Sequence, residues 1–245
     1  MAYKQELINP YNKSEGKGQQ VERMFDNIAP SYDRLNHTLS LGIDRLWRNK
    51  AIDSLRPYNP QEILDIATGT GDFAILAAER LKPQHVVGAD ISEEMMQIAK
   101  HKVNQQRLER VVSFRKEDCL RMSFKDNTFD AVTVAYGARN FENLETGLKE
   151  ILRVLKPGGH LLMLELAAPK DTPMRQLFWL YSHIVIPCVG WLFSRDIKAY
   201  KYLTSSVQAF PQGEVMENVL RSCGYGNVVW RRFTFGICTM YIGEK

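Results

Sequence analysis

Three acids and one glycine-rich turn carry the first chemical signal in the sequence. Asp65-x-x-x-Gly69-Thr70-Gly71 stands where an apolar run, Glu62–Ala67 (EILDIA), gives way to a helical pattern. Glycines at a strand-to-helix junction let backbone N–H groups approach a ligand closely, and the helix N-terminus behind them favours its negative end. Asp90 closes the next apolar run, His85–Asp90 (HVVGAD), where a carboxylate can accept both hydroxyls of a ribose. Asp118 follows a third run and can accept from the amino group of an adenine, with Cys119 packing beside the ring.

The loop is open to two readings. Gly69-Thr70-Gly71-Asp72-Phe73-Ala74 also satisfies the dinucleotide pattern GxGxxG/A. Asp65, inside the first strand, suits a zwitterionic amino-acid tail and poorly suits a pyrophosphate. Asp118 adds an acid on the adenine side, and no second substrate domain follows. Each acid alone reads equally well as a solvated strand end; three at successive strand ends of one sheet do not. The favoured ligand is therefore S-adenosyl-L-methionine, and a nicotinamide-dependent reductase is the rival.

These residues need a scaffold, and the hydropathy pattern supplies one. Glu62–Ala67, His85–Asp90, Val111–Arg115, Phe129–Ala135 and His160–Leu166 read as strands, separated by helical stretches such as Phe73–Leu81 and Leu144–Leu155. Ser92 is a good N-cap, with Glu93 and Glu94 complementing the dipole of the helix it opens. Pro157-Gly158-Gly159 breaks the helix before the fifth strand. Asn227–Arg232 and Phe235–Ile242 form an antiparallel pair closing the sheet. The expected fold class is α/β: a doubly wound, Rossmann-like, mostly parallel seven-stranded sheet with an antiparallel C-terminal strand. Helices at Gln19–Ile28, ended by Pro30, and at Asp44–Leu55 precede it. Residues 1–18 read as a loose tail, and residues 19–245 as a single domain with a helical, aromatic-rich insertion at about 167–212.

Composition narrows the class. The 245 residues are 44% hydrophobic and 24% charged, ordinary for a globular domain. A net charge of +4 with no dense Lys/Arg run argues against nucleic acid. The four cysteines, Cys119, Cys188, Cys223 and Cys238, form no CxxC pattern, so neither a metal nor a redox site is expected. The polar N-terminus lacks the apolar core of a signal peptide, so a cytoplasmic location is expected.

Two further segments make the sequence resemble the ubiquinone/menaquinone biosynthesis C-methyltransferase family of class I methyltransferases. One is Tyr32-Asp33-x-Leu35-Asn36-x-x-Leu39-Ser40 with Trp47 downstream; the other is Arg153-Val154-Leu155-Lys156-Pro157-Gly158-Gly159 with Leu164-Glu165 beyond it. Between them, Gly137-Ala138-Arg139-Asn140 is similar to the family's GxRN segment. The chain departs from the family at Leu35 (usually Met), Asp44 (usually His) and Ala167 (usually Ser). Ala67 stands at the first glycine of the commoner loop, and Ala135 where some relatives have a cofactor-contacting Ser. The resemblance implies cofactor contacts at Thr70, Asp90, Asp118 and Cys119, and prenylated hydroquinones as substrates: demethylmenaquinol first, a 2-methoxy-6-polyprenyl-benzoquinol as the alternative.

Methylation of a ring carbon requires a neighbouring hydroxyl to ionise. Arg139, after the fourth strand, is always charged, which suits it to holding an oxyanion and makes it a poor base. A water beside it can remove protons. Tyr32 and Asn140 are the other candidates on the reacting side. The competing readings are a salt bridge for Arg139, a capping turn for Tyr32-Asp33 and a helix cap for Asn140. His183 reads as a core residue more readily than as a substrate contact. The uncharged stretch Leu177–Phe193 (LFWLYSHIVIPCVGWLF) is expected to wall a prenyl tail with Phe178, Trp179, Tyr181 and Trp191, and to touch the inner membrane peripherally. A quinone-binding module without catalysis is the non-enzymatic alternative, and a homo-oligomer is left open.

Overall fold

The structure, a computed structural model, describes residues 2–11, 14–169, 171–181 and 197–245. Three helices come first: α1 (Lys17–Ile28), α2 (Tyr32–Leu39) and α3 (Ile43–Asp53). The alternating part follows as β1 (Glu62–Ile66), α4 (Asp72–Leu81), β2 (His85–Asp90), α5 (Glu93–Gln105), β3 (Val112–Lys116), β4 (Phe129–Ala135), α6 (Leu144–Val154) and β5 (Leu155–Leu166). Then come α7 (Met174–Leu180), α8 (Ile197–Ala209), α9 (Glu214–Ser222), β6 (Gly226–Phe233) and β7 (Cys238–Glu244).

The seven strands lie in the order β3-β2-β1-β4-β5-β7-β6. β7 runs antiparallel to both of its neighbours, and the remaining pairs are parallel. The seven-stranded mixed sheet expected from the sequence is therefore present. β1 is buried on both faces, as a central parallel strand must be when helices cover the sheet. Leu64, Ile66, Val132, Val134 and Leu161 pack into one core with Leu144, Leu148 and Ile151 of α6. Ile63, Ala131, Leu162 and Leu164 face the opposite core, with Trp47 and Ala51 of α3 and Phe73 of α4. The order turns back between β1 and β4, which opens a crevice beyond the carboxyl ends of the strands.

Several local expectations need correction. The tail is not loose. Lys4–Leu7 form a 3-10 turn with Gln5 fully buried. The Glu6 carboxylate accepts from the Leu144 N–H at 2.8 Å, and the Tyr3 hydroxyl donates to Glu145 at 2.9 Å. Polarity reads as looseness in a sequence, whereas here the polar groups satisfy the start of α6. α2 was not expected, because Leu35 is its one buried apolar residue. β3 lies one residue later than expected. β5 starts earlier, at Leu155, which pairs with Phe129 beyond a register shift. Phe235 falls outside β7, in a turn with φ +54°.

Candidate active site

The crevice is a cleft of about 440 Å³ at the ends of β1, β2 and β4. Its floor is Ile66, Ala67, Gly69, Ala89 and Asp90; its far wall is Asp118, Cys119 and Leu120; its roof is Val21, Glu22 and Phe25 of α1. Hydrogen bonds hold that roof. Ser92 Oγ donates to Asp26 at 2.6 Å, Lys116 Nζ to Glu22 at 2.8 Å and the Gly18 N–H to Glu142 at 3.0 Å. Lys17, nearly fully buried, donates to the carbonyls of Gln5 and Arg139. Burial pulls its ammonium down to a pKa of about 8.

The glycine loop divides its labour. Gly69 lies at φ +54°, and a Cβ there would meet nothing within 4 Å, so any side chain would intrude on the cleft. Its N–H donates to Asp90 Oδ2 at 2.8 Å, and the Ser92 N–H donates to Asp90 Oδ1 at 2.8 Å. The buried carboxylate keeps acceptor capacity for the cleft. Burial pushes its pKa up, against the backbone donors Ser92, Gly69 and Ile91.

Asp65, Thr70 and Gly71 correct the sequence reading. None of them lines the cleft. Asp65 is buried beneath the loop, where its two oxygens accept the hydroxyls of Thr68 at 2.6 Å and Thr133 at 2.5 Å. Desolvation raises its pKa to about 6. Thr70 Oγ1 donates to Asp33 Oδ1 at 2.6 Å, which ties the loop to α2. Lys102 reinforces the tie, bridging Asp33 at 2.7 Å and Asp72 at 2.5 Å. Gly71, at φ +80°, allows close packing: a Cβ would come within 2.8 Å of Ala99. Asp118 and Cys119 line the cleft, and Asp118 Oδ1 also accepts from the Leu120 N–H at 2.9 Å.

A second, apolar pocket of about 140 Å³ abuts the cleft, with Tyr32 and Tyr136 lining both. Its walls include Leu39, Leu166, Phe178, Leu203, Val207 and Ile237, and its charged members are Asp44, Arg48 and Arg139. Arg139 is 6% exposed. Its Nη1 donates to Glu165 Oε1 at 2.6 Å and to the Tyr136 carbonyl, while its Nε has no hydrogen-bond partner. Burial acts to lower its pKa, but Glu165 and then Tyr32 outweigh it and keep the guanidinium charged. The salt bridge thus holds the guanidinium through Nη1, while its Nε is buried and unpaired. Tyr32, half-buried, stands between cleft and pocket, and burial raises its pKa. Asn140 does not cap α6; Asn143 does, accepting from the Thr146 N–H at 2.8 Å. Asn140 lines the cleft instead and accepts from the Tyr202 hydroxyl at 3.1 Å.

Two residues were missed. Glu165 is a carboxylate inside the buried strand HLLMLEL, and a charge there signals a buried partner. Arg48 follows Trp47 on α3 and gives no signal of its own. His183, Trp191 and Phe193 lie outside the described residues. Phe178 and Tyr181 do line the apolar pocket, and Leu177, Trp179 and Leu180 are exposed beside them.

The cleft fits an S-adenosyl ligand: a paired-acceptor carboxylate at the end of β2, a side-chain-free floor at Gly69, and Asp118 with Cys119 at the distal end.

Comparison with known proteins agrees. The chain is 58% identical over 245 residues, with full coverage of both, to a demethylmenaquinone methyltransferase of Bacteroides fragilis. It is 40% identical to the ubiquinone/menaquinone biosynthesis C-methyltransferase UbiE of Geobacter sulfurreducens, covering 99% of this chain and 94% of the relative. Among solved structures, the possible histamine N-methyltransferase of Thermotoga maritima, an S-adenosylmethionine-dependent methyltransferase, superposes with a TM-score of 0.64 at 20% identity. It covers 91% of this chain and 99% of that one. The [4+2]-cyclase SpnF gives a TM-score of 0.69 at 17% identity, covering 93% and 96%. These structural likenesses show the fold. The profile of the ubiE/COQ5 methyltransferase family matches residues 13–245, and the chain belongs to that family.

Proposed function

We propose that the chain methylates a ring carbon of a prenylated hydroquinone, demethylmenaquinol, with S-adenosylmethionine as methyl donor. The observation that carries this reading is the apolar pocket that abuts the cofactor cleft and holds a buried, charged Arg139 with one N–H unpaired. Relatives named demethylmenaquinone methyltransferase, at 58% and 44% identity, support the choice of acceptor. The UbiE-named relatives favour a methoxy-benzoquinol as the second acceptor.

S-adenosylmethionine bound in the cleft supplies an electrophilic methyl group on a sulfonium sulfur. Asp90 would hold the ribose, Gly69 would admit the chain of the ligand, and Asp118 with Cys119 would hold the adenine. On the other side of Tyr32, Arg139 stabilises the acceptor as its phenolate, through the edge that Glu165 leaves open. Glu165 fixes that guanidinium, so little reorganisation accompanies the build-up of charge. Phe178, Tyr181, Leu203 and Val207 exclude water from the ring and receive the start of the isoprenoid tail. The proton released from the ring carbon passes to water, because neither guanidinium is a base.

The tail leaves along α7, and the exposed Leu177, Trp179 and Leu180 meet a lipid surface there. No helix among the described residues is long and apolar enough to cross a membrane. The function is tested by comparing kcat/KM for short-chain demethylmenaquinol and for the methoxy-benzoquinol. The naphthalene acceptor is expected to react faster, and turnover of neither would overturn the reading. Phe178→Ser with Leu180→Ser should lower vesicle binding and turnover of long-tailed quinols while sparing short-tailed ones. Equal loss on both would place these residues in the core alone.

A further inference from the structure

The acceptor pocket holds one more cation than an oxyanion site for a single phenolate needs. Arg48 lines the pocket from α3, and its side chain is 11% exposed. It lies over the ring of Tyr136, 4.9 Å from the centroid, on the residue whose carbonyl Arg139 also holds. Asp44 draws it from behind, but the Nε stands 3.6 Å from the carboxylate, beyond a hydrogen bond. That Nε is buried with no hydrogen-bond partner, like the Nε of Arg139. Two buried guanidiniums therefore line one apolar cavity, and the Nε of each is without a hydrogen-bond partner.

A buried donor left without a partner is destabilising, and more so when it is charged. Such a cost at two points of one pocket marks places that a ligand is built to fill. A hydroquinone carries oxygens on opposite edges of its ring, and burying it leaves both in need of donors. Arg139 serves one. The other polar groups of the pocket, at Tyr32, Asn36, Tyr136, Tyr181 and Thr204, are uncharged, and Ser40 donates to Asp44 at 2.5 Å, so Arg48 is the cation besides Arg139.

We propose that Arg48 is the second oxygen-binding residue of the acceptor site, donating to the hydroquinone oxygen remote from Arg139. The assignment rests on the hydroquinone reading above. Arg139 faces the oxygen next to the reacting carbon and acts as charge builds. Arg48 contacts an oxygen whose charge changes little, so it fixes the ring in the pocket and distinguishes two-oxygen from one-oxygen acceptors.

The test is Arg48→Met with two acceptors: a short-chain prenylated 1,4-naphthohydroquinone, and the matching 1-naphthol that retains only the hydroxyl beside the reacting carbon. Turnover is followed for both, and the inhibition constant of the naphthol is measured as well. The variant should lose about ten- to a hundredfold in kcat/KM on the hydroquinone, mostly through KM. It should change little on the naphthol, so the preference for two oxygens collapses. Arg48→Lys keeps charge but not the planar fork and should lie between, with cofactor affinity and melting temperature near wild type. Should Arg48→Met fail to fold, the lysine variant still reads out the same preference. Equal losses on both acceptors would assign Arg48 a structural role and overturn the proposal. A wild-type enzyme that methylates neither acceptor would instead overturn the function on which it rests.

Discussion

Replacing Glu165 by Gln isolates what the buried ion pair does. The carboxylate accepts three hydrogen bonds: from Arg139 Nη1 at 2.6 Å, from the Arg139 N–H at 3.2 Å and from the Leu166 N–H at 3.0 Å. A glutamine keeps one acceptor oxygen, and its amide nitrogen then faces a donor. Glu165 is 1% exposed and Arg139 6%, so the guanidinium would remain charged, desolvated and without its counter-ion. Breaking a buried pair from one side costs about 3–5 kcal/mol. In a domain of this size that corresponds to a fall of roughly 6–20 °C in melting temperature. Urea unfolding followed by circular dichroism measures the loss, and the midpoint should drop without a change in slope. The double variant Glu165→Gln/Arg139→Met removes the stranded charge, so it should recover most of that stability while turnover stays at background. A Glu165→Gln protein as stable as wild type, or a double variant whose loss is the sum of the singles, would refute the idea that Glu165 is there to hold a buried cation.

Asp90→Ala should weaken S-adenosylmethionine binding about ten- to a hundredfold by calorimetric titration, since charge-assisted bonds contribute roughly 1.5–3 kcal/mol; unchanged affinity in a folded variant would remove Asp90 from the site. Asp65 has a folded pKa raised to about 6, so its proton is retained on folding between the ordinary carboxylate value and that point. Its contribution therefore declines as pH rises from about 4 to 6, by about 2–3 kcal/mol. The stability of wild type relative to Asp65→Asn should fall across that window, and a flat difference would show that Asp65 titrates normally. Gly137→Ala places a Cβ about 2.5 Å from that of Ala67 and should cost roughly 1–3 kcal/mol. Ala67→Gly in the same chain should restore most of it, as Ala67 also sits at φ +52°. No rescue would mean that the clash lies elsewhere.

The alternating strands were legible because buried parallel strands are continuous apolar runs, and the helices between them keep their period. Residue type and place at a strand end were the signal at Asp90, Asp118 and Arg139, which line the cleft or the pocket beside it. The site was misread where one residue type serves two ends. Asp65 and Thr70 have the letters of ligand contacts, yet their partners are hydroxyls and α2, brought together only by folding. α2 was hidden because YDRLNHTL buries Leu35 alone among its apolar residues and is otherwise tied by Asp33–Thr70 and Asp33–Lys102. Glu165 was visible as a charge in a buried strand, though its partner, 26 residues upstream, was not. The docked N-terminus shows the same limit, since Glu6 caps a helix 138 residues away.

Carbon methylation of a hydroquinone is decided by where the methyl group ends up. Its most direct test is the position of the methyl group after incubating the full-length protein with reduced, short-chain demethylmenaquinone and S-adenosylmethionine carrying a 13C methyl. One new aryl methyl resonance is expected, with loss of the single ring hydrogen beside the prenyl group and a deficit in the Arg139→Lys variant that leaves cofactor affinity intact. A methyl group on oxygen, or no transfer while NADH binds more tightly than S-adenosylmethionine, would contradict carbon methylation.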